Sequence, residues 1–159
     1  WLDQDTTPQK KIRLLELLDH IKDPIRKMDL LITAKNFVCP SLFMADELGK
    51  KGGKTWVYQF NRVRDDKLAQ KYGAFHGAEL PYVFDTHDEW LPTNEKDREL
   101  TREIQSYWLS FAKTGNPNNG DAVTWPKYDS YNNPTLVLDD EIYQRNHESS
   151  EICKIMDLF

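Results

Sequence analysis

The sequence predicts an α/β domain that is rich in helix and has about two core strands. Several segments repeat apolar residues at helical spacing, and two short runs are rich in β-branched and aromatic residues. The composition, 39% hydrophobic and 30% charged over 159 residues, is typical of a globular chain. Because two strands make a stable sheet only when other elements cover them, we expect the sheet to be incomplete.

The first third of the chain is predicted to be helical. Thr7-Pro8 is a typical helix start, and Asp23-Pro24 repeats the signal. Pro40 is expected to open another helix, which Gly49 and then Gly52-Gly53 end. The apolar stripe predicted to face inward from the first helix consists of Ile12, Leu14, Leu15, Leu17, Leu18 and Ile21.

Two strands and the longest helix follow. Thr55 to Phe60 is nearly continuous in apolar character, which predicts a strand buried on both faces, and Thr135 to Asp140 is the second strand. The longest helix is predicted from Glu95 to Lys113, with its cap at Thr93 or Asn94. Its predicted inner face consists of Leu100, Ile104, Tyr107, Trp108 and Phe111.

Gly115 is expected to end the long helix. The tail of the chain is predicted to form a further, short helix. The tail helix lies within residues 147–159, with Ile152, Ile155 and Met156 facing inward.

Charge and hydropathy narrow the classes of partner. The net charge is −5 and no basic stripe is present, so nucleic acid is not an expected partner. No apolar run approaches the roughly 20 residues that span a bilayer, so no membrane span is expected. The chain opens on Trp1 without a signal peptide, which indicates a piece of a longer protein. A piece with uncovered strands is expected to self-associate.

His76 is the candidate functional residue. It lies in the turn KYGAFHGAEL, between Gly73 and Gly77, beyond the carboxyl end of the first predicted strand. Ligands of open α/β sheets bind at that edge, and histidine is the usual proton carrier near neutral pH. The competing interpretation is a packed or surface histidine in a turn that merely needs glycine.

Cys39 and Cys153 are the only cysteines. Their spacing fits neither a zinc site nor a CxxC redox pair. They are either two buried thiols or one disulfide, and a disulfide would imply an oxidising compartment.

Several motifs, in order, resemble the C-terminal part of the type-B carboxylesterases, the cholinesterase-like family that includes the para-nitrobenzyl esterases. The most specific is FAKTGNPN, Phe111 to Asn118. GAFHGAELPYVF precedes it and TWPKY follows it. DLLITAKNFVCPS lies where the family has the segment that leads into a helix, and TWVYQFNRV lies where the family has a core strand. The resemblance extends from about Asp29 to Asp140.

The resemblance implies an α/β-hydrolase fold and ester hydrolysis through an acyl-enzyme. The family's triad runs serine on a Gly-x-Ser-x-Gly elbow, then an acid, then histidine. His76 matches the histidine, whereas the elbow and the acid belong to sequence upstream. Residues 1–159 are therefore interpreted as one C-terminal segment of a larger α/β-hydrolase domain, inactive alone and completed by the N-terminal part of the same protein. The substrate would be a small-molecule ester, and the family needs no metal or cofactor.

The resemblance also bears on the two cysteines and on location. Cholinesterase-like proteins place a disulfide near the positions of Cys39 and Cys153, which favours a bond between them. Such a bond implies export to an oxidising compartment, and an exported chain without an Asn-x-Ser/Thr sequon favours a bacterial source.

Two alternatives remain open. Cholinesterase-like adhesion proteins keep the fold, lose the nucleophile and bind partners, although a retained His76 favours the enzyme. A stand-alone helical interaction module is disfavoured by the buried-type strand. Glu79 and His87 are interpreted as structural or loop residues, and the tryptophans Trp90, Trp108 and Trp125 as core residues.

Overall fold

Helices dominate the regular structure of the chain. The computed structural model describes residues 6–87, 91–120, 122–147 and 149–158. The helices are α1 (Pro8–Leu17), α2 (Pro24–Thr33), a π-helical turn (Ala34–Val38), α3 (Cys39–Lys50), α4 (Lys67–Tyr72), α5 (Leu80–Phe84), α6 (Glu95–Thr114) and α7 (Ser150–Ile155). The strands are β1 (Tyr58–Phe60), β2 (Pro134–Leu138) and β3 (Tyr143–Asn146).

The chain divides into two compact units. Unit 1 comprises Trp1–Thr55, Tyr128–Asn133 and Asn146–Phe159, and unit 2 comprises Trp56–Lys127 and Pro134–Arg145. The prediction that the chain is one segment of a larger domain is not tested by this division, and it stays a prediction.

The helix starts in unit 1 follow the sequence signals. Thr7 Oγ1 accepts a hydrogen bond from the Lys10 amide at 3.3 Å, and Asp23 Oδ1 accepts one from the Ile25 amide at 2.9 Å. Each side chain satisfies an amide that the first helical turn leaves without a partner.

The predicted helix start at Pro40 is wrong. α2, the π-helical turn and α3 form one continuous helix, and Pro40 lies at the beginning of α3. Proline has no amide hydrogen, and its ring clashes with the carbonyl four residues earlier in a regular α-helix. The wider π-helical turn directly before Pro40 accommodates the ring, so the helix continues to Lys50.

This continuous helix is also long and apolar enough to cross a membrane. Over its 27 residues, Pro24–Lys50, the most apolar window has a mean hydropathy of 1.2. A core helix of a soluble protein passes the same test of length and composition, so the expectation of no membrane span stays a prediction.

A disulfide ties the tail of unit 1 to this helix. Cys39 at the start of α3 is bonded to Cys153 in α7, with a Cα–Cα distance of 5.4 Å, and both residues are fully buried. Ile152, Ile155 and Met156 of the tail are buried beside it, which confirms the predicted inner face of α7.

The predicted inner face of α1 is largely wrong. Leu14 and Leu18 are buried, but Ile12, Leu15 and Leu17 are exposed in the described part of the chain. The sequence pattern predicts one continuous apolar face, but other described residues cover only the side that carries Leu14 and Leu18.

The sheet of unit 2 has three strands in the order β1-β2-β3. β1 and β2 are parallel, with Tyr58 opposite Leu136 and Phe60 opposite Leu138. Leu136, Val137 and Leu138 are fully buried, as predicted for a core strand. β1 was predicted to be buried on both faces, but it is an edge strand and Tyr58 is exposed.

The core of unit 2 lies between this sheet and α6. The buried residues of the cluster are Tyr82, Leu100, Ile104, Tyr107, Trp125, Leu136 and Leu138, and Trp108 is partly buried against them. Most of the predicted α6 face is thus confirmed, except that Phe111 is exposed. Trp90 lies outside the described residues.

Both ends of α6 are capped as predicted. Asn94 forms a capping box with Asp97 at the beginning of the helix. Gly115 ends it in the left-handed conformation at φ 72°, a conformation that residues with a side chain rarely adopt.

Candidate active site

His76 lies in a tight turn between α4 and α5, both of which follow β1. Gly73 at φ 68° and Gly77 at φ 86° adopt backbone conformations that favour glycine. The Ala78 amide donates a hydrogen bond to the Phe75 carbonyl at 2.9 Å, which closes the turn around His76. The imidazole is exposed, so a reacting group could reach it.

A single carboxylate oxygen joins the two ends of the segment that carries His76. Asp97 Oδ1 accepts hydrogen bonds from Arg62 Nε at 2.8 Å and from the Tyr82 hydroxyl at 2.7 Å. Arg62 follows β1, and Tyr82 lies in α5. The residues between them, 63–81, are called the His76 segment. Asp97 therefore closes this segment into a loop at its base.

The capping box of α6 fixes the orientation of that carboxylate. Asp97 Oδ2 accepts a hydrogen bond from the Asn94 amide at 2.9 Å, and the Asp97 amide donates one to Asn94 Oδ1 at 3.1 Å. Asp97 is almost fully buried. Burial alone would raise its pKa, but the hydrogen bonds from Asn94, Tyr82 and Arg62 outweigh burial and lower the pKa below its usual value. The carboxylate is therefore ionised at neutral pH.

Arg62 supplies the matching positive charge at the carboxyl edge of the parallel strands. Its Nη1 lies 3.0 Å from Asp140 Oδ1, and Asp140 follows β2. Burial opposes the charge of this guanidinium, but Asp97 and Asp140 more than compensate and raise the pKa of Arg62. One arginine thus connects the ends of β1 and β2 to the beginning of α6.

Aromatic and cationic contacts hold Tyr82 from its other sides. The Arg64 guanidinium lies 4.8 Å from the centre of the Tyr82 ring, and the Phe60 ring centre lies 5.0 Å from it. Burial and the hydrogen bond to Asp97 raise the pKa of Tyr82 well above its usual value, so its hydroxyl remains a donor. Phe60 and Arg64 precede α4, so they add to the closure of the His76 segment.

His87 belongs to the support of this site rather than to its exposed surface. Its Nε2 lies 2.6 Å from Thr101 Oγ1, and that hydroxyl donates its own hydrogen to the Asp97 carbonyl at 2.7 Å. Nε2 must therefore carry a hydrogen, and Nδ1 faces the Arg64 guanidinium at 3.4 Å as an acceptor. Burial and the charge of Arg64 lower the pKa of His87, which fits a neutral ring.

The residues that support the His76 segment are not evident from the sequence. Arg62, Tyr82 and Asp97 carry no motif that predicts a role at a site. The available signal was the spacing Asn94-x-x-Asp97, which predicts a capping box but not the burial of its carboxylate. Glu79 precedes α5, but its side chain makes no capping hydrogen bond.

Among the described residues, His76 is the one that the sequence analysis offers as a member of a hydrolytic triad, and this assignment stays a prediction. The chain contains no Gly-x-Ser-x-Gly elbow. Among the described residues, no three histidine, cysteine, aspartate or glutamate side chains cluster as metal ligands. His76 is therefore the candidate for proton transfer, and a nucleophile has to come from elsewhere.

Large apolar side chains surround the turn in sequence and are exposed. They are Leu68, Tyr72, Phe75, Leu80 and Phe84. A cluster of exposed apolar residues of this kind is typical of a surface that another part of a protein covers.

Residues 11–156 match the Carboxylesterase family. The chain belongs to the carboxylesterase family. The family match includes His76, the whole sheet and both cysteines.

Individual relatives agree with the family. The Bacillus subtilis para-nitrobenzyl esterase is 39% identical over 101 residues, which cover 60% of this chain and 20% of that protein. The Gallus gallus acetylcholinesterase is 34% identical over 133 residues, which cover 80% of this chain and 15% of that protein. The structure of a thermophilic para-nitrobenzyl esterase has a TM-score of 0.70 and 30% identity, and the match covers 92% of this chain and 30% of the other.

These matches show an α/β-hydrolase fold, as predicted. They also show that this member of the carboxylesterase family spans only about 15% to 33% of the lengths of such relatives. The described sheet is correspondingly small.

Proposed function

We propose that this chain is the C-terminal part of a serine carboxylesterase and that His76 is its general base. The observation that carries the proposal is the position of His76. It lies on an exposed, glycine-flanked turn after one of two parallel strands, within the residues that match the carboxylesterase family. Ligands of α/β sheets bind at the carboxyl ends of such strands.

The chemistry assigned to His76 is proton transfer in two half-reactions. Its imidazole accepts the proton of a serine hydroxyl as that oxygen attacks the ester carbonyl, and the resulting imidazolium protonates the leaving alcohol. Water then repeats the sequence on the acyl-enzyme and releases the carboxylic acid. A flanking acid orients the imidazole and stabilises its charged form. We assign the serine, the acid and the oxyanion donors to sequence upstream of this chain.

We infer that the same upstream sequence covers the exposed apolar surfaces. Unit 1 exposes the Ile12, Leu15 and Leu17 side of α1, and unit 2 exposes the cluster around His76 that includes Phe75 and Leu80. Residues 1–159 then form one C-terminal segment of a larger α/β-hydrolase domain. The partner of the segment is the N-terminal part of its own protein.

The proposed substrate class is a small-molecule carboxylic ester. The named relatives include a para-nitrobenzyl esterase and an acetylcholinesterase, which differ in the alcohol part of the ester. We propose no particular alcohol.

We also propose that the protein is exported from a bacterial cell. The disulfide between Cys39 and Cys153 supports an oxidising compartment, because structural disulfides are rare in the cytosol. The likeness to the Bacillus subtilis enzyme supports the bacterial source.

The proposal is tested with the extended polypeptide, which joins this chain to the sequence upstream of it in its gene. Mixed with para-nitrophenyl acetate, the extended polypeptide should release a burst of about one equivalent of para-nitrophenol and then turn over steadily, as an acyl-enzyme mechanism requires. The 159-residue chain alone should release none above the buffer rate. An extended polypeptide without turnover would contradict the proposal and favour a non-catalytic, adhesion-like relative.

A further inference from the structure

The buried polar groups at the base of the His76 segment form one hydrogen-bonded cluster. Arg62, Asp97 and Tyr82 are each at most 5% exposed, and their polar atoms meet at Asp97 Oδ1. Charged and hydroxyl groups are costly to bury, so hydrogen bonds among them at this depth favour one arrangement of the elements that carry them.

The elements fixed by this cluster are the two ends of the His76 segment. Arg62 is the residue immediately before the segment, and Tyr82 is the residue immediately after it. Both bind the same oxygen, and that oxygen belongs to α6, a long capped helix packed on the sheet. Two hydrogen bonds of 2.8 and 2.7 Å therefore link the two ends of the segment through one oxygen atom.

Further contacts lie near the first residues of the segment: Asp66 caps α4, Gln70 Nε2 donates to the Arg64 carbonyl at 2.9 Å, and Asn94 Nδ2 donates to Asp65 Oδ2 at 2.6 Å. The segment contains the short helix α4, two glycines with positive φ and four exposed apolar side chains, those of Leu68, Tyr72, Phe75 and Leu80. Arg64 adds one further contact to the base of the loop through the Tyr82 ring.

We propose that Tyr82, Asp97 and Arg62 position His76 for proton transfer by closing the His76 segment at its base. Tyr82 is the positioning residue, because its hydroxyl is the only atom of α5 that bonds this carboxylate among the described residues. None of the three touches the substrate. This inference rests on the proposed function, because it assigns a task to residues that support the proposed base.

Tyr82→Phe in the extended polypeptide is the direct test, since it removes one oxygen atom and leaves the ring in place. Displacing a catalytic group by about 1 Å can reduce the rate by roughly a hundredfold, so we expect kcat on para-nitrophenyl acetate to fall about tenfold or more. KM should stay within about twofold of the unmodified value, because the loss concerns proton transfer and not substrate binding.

Tyr107→Phe is the matched control. Tyr107 is buried in the same core, and its hydroxyl donates a 2.6 Å hydrogen bond to the Val123 carbonyl, which is not connected to the His76 segment. Both variants lose one buried hydrogen bond, but only Tyr82→Phe should lower kcat and speed amide hydrogen exchange in residues 63–81.

The outcomes separate this inference from the proposed function. If His76→Ala abolishes turnover while Tyr82→Phe and Tyr107→Phe keep kcat within about twofold of each other, the positioning role is wrong and the proposed function stands. If His76→Ala has no effect, the proposed function itself is wrong. Should Tyr82→Phe fail to fold, Asp140→Asn is the second variant. It removes the charge that pairs with Arg62, and because the Asp140 side chain is half-exposed the substitution should not prevent folding. It should lower kcat about threefold, and an unchanged kcat would then overturn the inference.

Discussion

Breaking the disulfide between Cys39 and Cys153 should destabilise the protein by an amount that follows from its place in the chain. The bond joins residues 114 positions apart, and it connects the beginning of α3 to α7. Without it the unfolded chain is no longer closed into a long loop and gains conformational freedom, which disfavours folding.

The magnitude follows from the length of that loop. For a separation of 114 residues, the chain-entropy relation gives about 16 cal/mol/K, or about 5 kcal/mol at 25 °C. Measured losses on removing native disulfides are typically about 2–5 kcal/mol, so we expect a loss in that range. With a urea dependence of about 3 kcal/mol per M, the midpoint of unfolding should fall by about 1 M.

Urea unfolding of the extended polypeptide, followed by circular dichroism at 222 nm, measures this shift with and without a reductant. Cys39→Ala/Cys153→Ala serves as the control, because both side chains are fully buried and their removal also costs packing. Reductant should lower the midpoint of the unmodified protein and leave that of the double variant unchanged. An unmoved midpoint, with mass spectrometry showing both thiols free, would refute the entropic reasoning.

Three further predictions follow from the described contacts. The pKa of His87 is lowered in the folded protein, so below the ordinary value of about 6.5 the unfolded chain binds a proton that the folded protein does not. The free energy of unfolding should therefore fall between pH 7.5 and pH 5.5. It should fall less in His87→Gln, because the glutamine amide does not titrate. Thermal unfolding at both pH values checks this, and equal losses in the two proteins would argue against it. Gly77 has a φ of 86°, so Gly77→Ala should strain the backbone next to the proposed base and lower kcat about tenfold. Gly120, at φ 53°, lies in another loop, and Gly120→Ala should leave kcat within about twofold. Similar kinetics for both variants would exclude a special role for the turn. The 159-residue chain alone should self-associate through its exposed apolar side chains. Light scattering should then give a mass well above the 18.7 kDa of one chain. A monodisperse monomer would show that these surfaces need no cover.

Local signals in the sequence predicted most of the helix termini. Thr7, Asp23 and Asn94 each cap a helix through their own side chain, and Gly115 ends α6 with a positive φ. These interactions involve residues within a few positions of one another, so a short window of sequence contains all the information they need.

Features that depend on distant residues could not be predicted. Nothing near Asp97 in sequence shows that its carboxylate meets Arg62 and Tyr82 in a buried site. β3 was missed because Tyr143–Asn146 is polar and mostly exposed, which leaves no alternating apolar pattern. Pro40 was mistaken for a helix start because the π-helical turn that accommodates it has no local signature.

The burial of apolar stripes was the least predictable property. Ile12 and Phe111 lie on helix faces that the pattern marks as core, yet both are exposed in the described chain. Periodicity identifies the face that needs cover, but the element that supplies the cover has to be present for burial to follow.

The most direct test of the central claim compares His76→Ala with His20→Ala in the extended polypeptide. His20 is exposed on the other unit, and its Nδ1 lies 3.1 Å from the Leu17 carbonyl, so it controls for the loss of an imidazole. If His76 is the general base, kcat/KM for para-nitrophenyl acetate should fall by about 10²–10⁴-fold in His76→Ala and stay within about twofold in His20→Ala. Equal rates in the two variants would show that His76 takes no part in the reaction.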